Sequence, residues 1–306
     1  MKKILAFVII VLLSFSLSGC KDSQRANLNI PKEQNSDNKT SGISLDIMVT
    51  NRYLYNIVND LVGDKDNVQF MFKDDNDIKQ FKYTSDSLNN ISKYDLFIYS
   101  GADFEPWIAG FVNKLDVSKV GVIDASRGTK IISLDKKITY GDETIDKNPY
   151  YWTNIDNYKI MILNIKNALE EKDPKSRNFY ENRFKNSINN VKIIDNDLKA
   201  ALTKLNGYTF VTTDFKYDYF FSYYDLKNVK YDELNDSSFD STMEKKVSDD
   251  KKIFFVYSDD LELQNSKKII DKYGMKPLKF DVYYKNGSFI SMMKNNINSI
   301  NKFISK

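Results

Sequence analysis

Apolar positions from residue 44 onward follow two alternating patterns. Continuous apolar stretches indicate buried β-strands, and they are SLDIMVT (44–50), VQFMF (68–72), DLFIYSG (95–101) and KVGVIDAS (119–126). Between them lie segments with apolar residues at helical spacing, at 52–63, 85–92 and 105–115. Strands that alternate with helices predict a parallel, doubly wound α/β sheet.

The pattern changes between residues 156 and 205, where nearly every position fits a helix apart from a break at Asp173 and Pro174. A helical segment of this length is unusual inside one globular domain and predicts a strut between two domains. A second alternating set follows. Its strands are at 209–213, 252–258 and 277–283, with an aromatic-rich segment at 217–226 and helices at 261–274 and 289–305. The predicted fold is therefore α/β, with two doubly wound parallel-sheet lobes joined by a long helix.

The first twenty residues have the pattern of a lipoprotein signal peptide. Two lysines precede an apolar run at 4–13 that is too short to span a bilayer, and small residues follow. The tetrad LSGC (17–20) resembles the lipobox of bacterial lipoproteins, which implies removal of residues 1–19 and lipid attached to Cys20. The alternative is an ordinary membrane anchor with an incidental cysteine. Residues 20–43 contain few apolar side chains and predict a flexible tether. We expect a lipid-anchored protein on the extracytoplasmic face of a bacterial cell membrane.

Composition excludes several kinds of site. Of 306 residues, 45 are Lys or Arg and 42 are Asp or Glu, so the chain is nearly neutral and has no charge excess suited to nucleic acid. The chain has one Cys and no His, which rules out disulfides within the chain, thiolate zinc sites and His-based acid–base catalysis. Because a Gly-rich phosphate loop is also missing from the sequence, the pattern indicates a protein that is not an enzyme.

Four segments together resemble the solute-binding lipoproteins of zinc- and manganese-type ABC importers. They are DLFIYSGADFEPWI (95–108), NPYYWTNIDN (148–157), LNGYTFVTTDFKYDYFFSYYDL (205–226) and FDVYYKNGSFISMMKNNINSI (280–300). The resemblance implies an N-terminal lobe at 44–155, a connecting helical segment at 156–205 and a C-terminal lobe at 206–306, with the ligand in the cleft between the lobes. It also implies a cognate permease and ATPase as partners, and zinc or manganese as the transported ion. We expect a monomer.

The resemblance puts the family's metal-ligand positions on residues that suit a metal poorly. The four positions are Lys79, Tyr150, Asp214 and Asp281. Two carboxylates are too few for a tight transition-metal site, and an ammonium group has no lone pair to donate. We therefore expect a degenerate site in which Asp214 and Asp281 are the remaining metal donors. Lys79 is expected to replace the charge of the metal by pairing with one or both of these acids.

Further side chains are expected to line the cleft, namely Glu105, Trp152, Phe215 and Tyr217. If a metal does bind, Asp77 or Glu105 would have to supply additional oxygen atoms. Ordinary structural roles compete with each of these assignments. Lys79 would then point to solvent, Tyr150 and Trp152 would pack in a core, and Asp214 and Asp281 would cap helix N-termini.

Three functions remain open from the sequence. The first is a membrane-anchored solute-binding lipoprotein of a metal-type ABC importer whose metal site has diverged. The second is a surface adhesin or interaction lipoprotein that uses the same fold without a small ligand. The third is a metal binder with unusual oxygen donors.

Overall fold

The computed structural model describes residues 42–231, 236–248, 252–283 and 287–304. The predicted signal peptide at 1–19, the lipid-attachment residue Cys20 and all but the last two residues of the predicted tether lie outside these ranges. None of the helices in the described ranges is both long and apolar enough to cross a bilayer.

The first sheet consists of the four strands that the hydrophobic pattern predicts. Their bounds are β1 Asp46–Asn51, β2 Asn67–Phe72, β3 Leu96–Tyr99 and β4 Gly121–Asp124. All pairs are parallel, and the order across the sheet is β2-β1-β3-β4. The accompanying helices are α1 Arg52–Val62, α2 Asp75–Gln80, α3 Ser85–Ile91 and α4 Ile108–Lys114. Ile47, Val49 and Ile98 are fully buried, because both faces of a parallel sheet are covered.

Two long helices connect this sheet to the second half of the chain. They are α5 Ile155–Lys172 and α6 Arg177–Thr203, separated by a 3-10 turn at Pro174–Ser176. The side chain of Asn154 begins α5 by accepting hydrogen bonds from the backbone N–H groups of Asp156 and Asn157 at 2.9 and 3.2 Å. Pro174 has no backbone N–H to donate, so the first helix ends before it, as the sequence predicts.

The second sheet repeats the strand order of the first. Its strands are β7 Thr209–Thr212, β8 Asn228–Lys230, β9 Ile253–Tyr257 and β10 Lys276–Lys279. They are parallel in the order β10-β9-β7-β8, so β7 corresponds to β1 and β9 to β3. The helices of this half are α7 Asp218–Tyr223, α8 Asp236–Ser248, α9 Asp260–Asn265, α10 Lys267–Lys272 and α11 Phe289–Ile304. The predicted fold class, with two parallel-sheet units and a long helical connection, is confirmed.

A hairpin between the two halves was not predicted. It consists of β5 Ser133–Tyr140 and β6 Glu143–Lys147, which pair antiparallel as a separate two-stranded sheet. Most of its side chains are exposed or half-buried, so the sequence shows no buried stripe from which to recognise it. The short elements α2 and β8 and the helix α8 were missed as well.

Three predicted boundaries are wrong. The predicted helix at 105–115 begins at Ile108, and the one at 261–274 divides at Ser266 into α9 and α10. The strand predicted at 277–283 ends at Lys279, because the backbone of Asp281 pairs with a side chain instead of a strand. The backbone N–H of Asp281 donates to the Asn296 side chain at 2.8 Å, and its carbonyl accepts from the same side chain at 2.8 Å.

Candidate functional site

The carboxyl end of the first sheet holds a buried carboxylate, Glu105, which is 0% exposed. It accepts hydrogen bonds from the backbone N–H groups of Ser100 and Gly101 at 2.9 and 3.1 Å. The hydroxyl of Thr50, near the end of β1, donates to the same carboxylate. Burial raises the pKa of Glu105 to about 7, although these hydrogen bonds act in the opposite direction. Glu105 therefore fixes the turn after β3 and does not face an open cavity.

The turn that Glu105 closes has a left-handed backbone at three successive residues. The φ angles of Gly101, Ala102 and Asp103 are 77°, 49° and 63°. A Cβ atom at Gly101 would lie 2.0 Å from the carboxylate of Asp124, so glycine is required at this position. The hydrogen bonds to Glu105 hold this strained turn in place.

The carboxyl end of the second sheet holds a second carboxylate, Glu262, in the corresponding place. Glu262 accepts the backbone N–H of Ser258 at 2.9 Å and the hydroxyl of Thr213, which follows β7, at 3.1 Å. It also accepts the phenol O–H of Tyr217 at 2.8 Å, so Tyr217 is buried against the site and not exposed in a cleft. A threonine at the carboxyl end of an inner strand and a glutamate after the neighbouring strand thus recur in both sheets.

Unlike Glu105, Glu262 is paired with a cation, Lys216. The ammonium nitrogen lies 2.8 Å from Glu262, 3.8 Å from Asp214 and 3.9 Å from Asp259. The Lys216 side chain is 11% exposed, so its ammonium group is largely removed from water. One lysine thus neutralises part of the charge of three carboxylates.

Asp214 has the capping role that the sequence left open. Its carboxylate accepts the backbone N–H of Lys216 at 2.8 Å at the start of the helical turn after β7. Burial raises the pKa of Asp214, while Lys216 acts in the opposite direction. The side chain remains 38% exposed and is accessible from solvent.

Lys79 does not occupy the place expected of it. Its ammonium group lies over the ring of Tyr140, on the hairpin, at 5.0 Å from the ring centroid. Among the described residues, no ion pair joins Lys79 to Asp214 or Asp281, so the structure contradicts the predicted pairing. Asp281 is held through its backbone by Asn296, and burial raises the pKa of its carboxyl group. The lysine that does meet the carboxylates is Lys216.

Aromatic side chains fill the space between the carboxyl ends of the two sheets. We call the following six residues the aromatic cluster: Tyr53, Phe104, Tyr150, Trp152, Phe215 and Tyr283. Trp152 is 0% exposed and lies at the centre, with ring centroids of Tyr53 and Phe104 at 5.1 and 5.3 Å. Its indole N–H donates to the backbone carbonyl of Val282 at 2.8 Å. Burial raises the pKa of Tyr150 well above its usual value, which keeps the phenol protonated.

An open groove of about 1360 Å³ lies beside Lys216. One wall is the strand β5 with the residue before it, and the other wall is formed by segments that follow β7 and β9 together with β8. Asp214, Phe215 and Lys216 line it, whereas Lys79, Tyr150, Trp152, Asp281 and the predicted alternative donors Asp77 and Glu105 do not.

The residues at these positions do not fit a zinc or manganese ion. A divalent ion of this kind requires about four donors, from imidazole, thiolate or carboxylate groups. In the described ranges, no group of three Asp, Glu, Cys or His side chains has a geometry that could hold a metal. The ammonium of Lys216 would also repel a cation placed beside Asp214.

Sequence reasoning missed Glu262 and Lys216, although a signal was present. Glu105 and Glu262 each follow a strand by a few residues, after Tyr99 and Tyr257 respectively. Both sheets also place a threonine after or near the end of the central strand. Comparison of the two halves would have identified Glu262 as the counterpart of Glu105.

Several known proteins are similar to this chain in sequence. The family described as zinc-uptake complex component A, periplasmic, matches residues 47–303. A metal ABC transporter substrate-binding lipoprotein of Lactococcus lactis is 25% identical over 210 residues, which cover 65% of this chain and 66% of that protein. The manganese ABC transporter substrate-binding lipoprotein PsaA of Streptococcus pneumoniae is 26% identical over 243 residues, covering 77% of this chain and 73% of that protein.

Solved structures show the same fold at lower sequence identity. The Zn(II)-bound ZnuA-like domain of Streptococcus pneumoniae AdcA superposes with a TM-score of 0.67 at 17% identity, covering 86% of this chain and 100% of that one. A metal-dependent lipoprotein of Bacillus subtilis, YcdH, gives a TM-score of 0.67 at 18% identity, covering 85% and 99%. With the match over 47–303, these findings establish that the chain belongs to the family of zinc-uptake complex component A, whose members are solute-binding proteins of ABC transporters and not enzymes.

Proposed function

We propose that the chain is the lipid-anchored substrate-binding component of an ABC importer, and that its metal site has diverged so that neither zinc nor manganese is its cargo. Its relatives include substrate-binding lipoproteins of metal and manganese ABC transporters, which supports the importer assignment. Lipid on Cys20 would hold the protein, as a monomer, at the extracytoplasmic face of the membrane. A cognate permease and ATPase would then receive the ligand.

The loss of metal binding is inferred chiefly from the position of Lys216. Its ammonium group lies within 4 Å of Asp214, Asp259 and Glu262, at 3.8, 3.9 and 2.8 Å. A cation that is part of the chain already compensates these carboxylates, so a second one would have to overcome charge repulsion. The aromatic cluster adds to this argument, because rings and not oxygen or nitrogen donors fill the space around Tyr150.

The test uses protein extracted from membranes of a bacterial host. We expect the wild-type chain in the membrane fraction and a Cys20→Ala variant to be released or left unprocessed. Elemental analysis of the extracted protein should detect no stoichiometric zinc or manganese. Titration with either ion should give a dissociation constant weaker than about 1 μM, which corresponds to about −8 kcal/mol. Stoichiometric metal, or binding tighter than that, would refute the diverged-site proposal, and normal processing and lipidation of Cys20→Ala would refute the anchor.

A further inference from the structure

A second cavity lies where helices from both halves of the molecule meet. Its volume is about 370 Å³, and it shares no described lining residue with the groove beside Lys216. The lining residues include Asp60 from α1, Tyr158 from α5, Arg183 from α6 and Ile290 from α11. Cavities between packed helices are common places for small-molecule sites. The two charged residues of this cavity indicate what kind of molecule it could take.

Arg183 is held in one orientation by three contacts. Its Nε–H donates to the backbone carbonyl of Asp60 at 3.1 Å. The guanidinium group lies against Gly63, where an added Cβ atom would be 3.2 Å from both Cζ and Nη1, and Cζ lies 5.8 Å from the ring centroid of Phe179. Among the described residues, Nη1 and Nη2 have no hydrogen-bond acceptor and no ion pair involves the group. A guanidinium group fixed in this way can donate two parallel hydrogen bonds to a carboxylate.

The carboxylate of Asp60 is the opposite charge in the same cavity. Desolvation raises its pKa, although the residue as a whole is exposed, and the charge of Arg183 acts in the opposite direction. In the described parts of the chain, this carboxylate accepts no hydrogen bond and forms no ion pair. Arg183 is thus close enough to influence Asp60 and does not pair with it. The described lining residues therefore carry one positive and one negative group that are not paired with each other.

The size and the other side chains of the cavity favour a small polar ligand. A volume of about 370 Å³ is near the lower end of the ~300–1,000 Å³ of small-molecule sites. The ring of Tyr158 lines the cavity and stacks on Phe289 with ring centroids 3.8 Å apart. Helix α6 adds amide and hydroxyl groups, which donate and accept hydrogen bonds, from Asn186, Ser187 and Asn190. The cavity therefore suits a molecule of the size of a single amino acid.

We propose that this cavity binds a free α-amino acid with a polar side chain. Arg183 binds its carboxylate through two N–H donors, Asp60 binds its ammonium group, and the polar side chains of α6 hydrogen-bond its side chain. A lone anion would be repelled by Asp60 and a lone cation by Arg183, whereas a zwitterion is attracted to both. The cavity contains none of the family's ligand positions, so the inference does not depend on the proposed function.

Binding is measured by calorimetry with the full chain purified in detergent. The probe is L-glutamine, which carries both charges and a polar side chain. Two analogues serve as controls: N-acetyl-L-glutamine lacks the ammonium group, and L-glutamine α-amide lacks the carboxylate. L-Glutamine should bind with a dissociation constant below about 1 mM. Each analogue should bind at least about tenfold more weakly, because each loses a charge-assisted hydrogen bond.

Matched variants locate the site. Arg183→Gln and Asp60→Asn should each weaken L-glutamine binding at least about tenfold. Arg183→Lys should recover only part of the loss, because an ammonium group cannot donate two parallel hydrogen bonds to a carboxylate. The controls are Arg177→Gln, at the start of the same helix, and Asp197→Asn, both at exposed positions outside the cavity, and they should bind as wild type does.

Thermal unfolding without ligand shows whether each variant is folded. Arg183 contacts Gly63 and Phe179, so its replacement could destabilise the protein. In that case Asp60→Asn, at an exposed position, and the two analogues still test the proposal on folded protein.

Each contrary result identifies what has failed. If L-glutamine does not bind below about 1 mM, or if folded Asp60→Asn binds it as tightly as wild type does, the inference is wrong. If either analogue binds as tightly as L-glutamine, the cavity does not recognise a zwitterion, and the proposal is overturned. Binding of L-glutamine by a protein that also carries stoichiometric zinc would refute the diverged-site proposal and support the assignment of this cavity.

Discussion

The carboxyl ends of the two sheets have the same arrangement of residues, but the glutamates in corresponding places, Glu105 and Glu262, have different partners. In the first, Asn51 caps α1 by accepting the backbone N–H of Leu54 at 2.8 Å, and in the second, Asp214 caps the turn after β7. The residues two positions after each cap, Tyr53 and Lys216, lie in different environments. Tyr53 is 1% exposed and belongs to the aromatic cluster, whereas Lys216 pairs with Glu262 beside an open groove.

The difference shows two ways in which a protein can compensate for the removal of an acidic side chain from water. Glu105 has backbone and hydroxyl donors but no cation, so burial raises its pKa to about 7 and favours the protonated form. Glu262 has similar donors and also an ammonium partner, the side chain of Lys216, at 2.8 Å. The first site is therefore sealed, and the second is charged and lies beside an open groove.

The largest effect is expected from removing the ring at the centre of the sealed end. Trp152→Ala should lower the free energy of unfolding by about 3–5 kcal/mol, because it leaves a cavity among five rings and removes the hydrogen bond to Val282. Phe215→Ala, at the half-buried margin of the cluster, should cost about 1–2 kcal/mol. Urea denaturation of the purified variants measures both values. If Trp152→Ala and Phe215→Ala lower the free energy of unfolding equally, the aromatic cluster would not be more tightly packed at Trp152 than at Phe215.

A smaller effect is expected from removing the cation of the open end. Lys216→Met should cost about 2–4 kcal/mol at neutral pH, since it leaves the largely buried Glu262 side chain without its ammonium partner. The matched control is Lys79→Met, which loses a contact with the Tyr140 ring and a weaker charge interaction with Asp214, and it should cost less than about 1 kcal/mol. Thermal and urea unfolding measure the two. If Lys79→Met costs more stability than Lys216→Met, Lys79 would be the lysine that replaces the charge of a metal, as the sequence predicts.

The smallest expected effect is the pH dependence of the unfolding free energy that the raised pKa of Glu105 produces. Its pKa rises from 4.5 to about 7 on folding, so between these values the folded state binds more protons than the unfolded state. Stability from this group is therefore present below about pH 4.5 and is lost as the pH rises towards 7. The loss amounts to about 2 kcal/mol between about pH 5 and pH 7.

Glu105→Gln provides the control for this dependence. The amide cannot titrate, so the difference in unfolding free energy between wild type and variant should change by about 2 kcal/mol over that pH range. Urea denaturation at several pH values measures it. A constant difference across the range would show that Glu105 is already ionised in the folded protein at low pH.

The sequence by itself determined the order of strands and helices, the long helical connection and the family. Buried parallel strands and amphipathic helices depend on local apolar periodicity, which the residues at 44–126 and 209–258 display directly. Pro174 and Asn154 likewise act on their own backbone neighbours, so their effects on the ends of α5 are visible without tertiary structure. The exposed strands of the hairpin carry no such periodicity and were missed for that reason.

Which lysine meets the carboxylates was decided only by the tertiary structure. Lys79 is one of the ligand positions that the resemblance implies, and Lys216 lies two residues after another, Asp214. A charged residue in a sequence gives no information about its distance from residues elsewhere in the chain. Packing directs Lys79 onto the Tyr140 ring of the hairpin, and it brings Glu262, 46 residues further along, to the ammonium of Lys216. The groove likewise requires β5 and β8, which are at least 88 residues apart in sequence (from Tyr140 to Asn228), to lie on its two sides. Contacts between segments so distant in sequence depend on the whole fold, and local patterns cannot specify them.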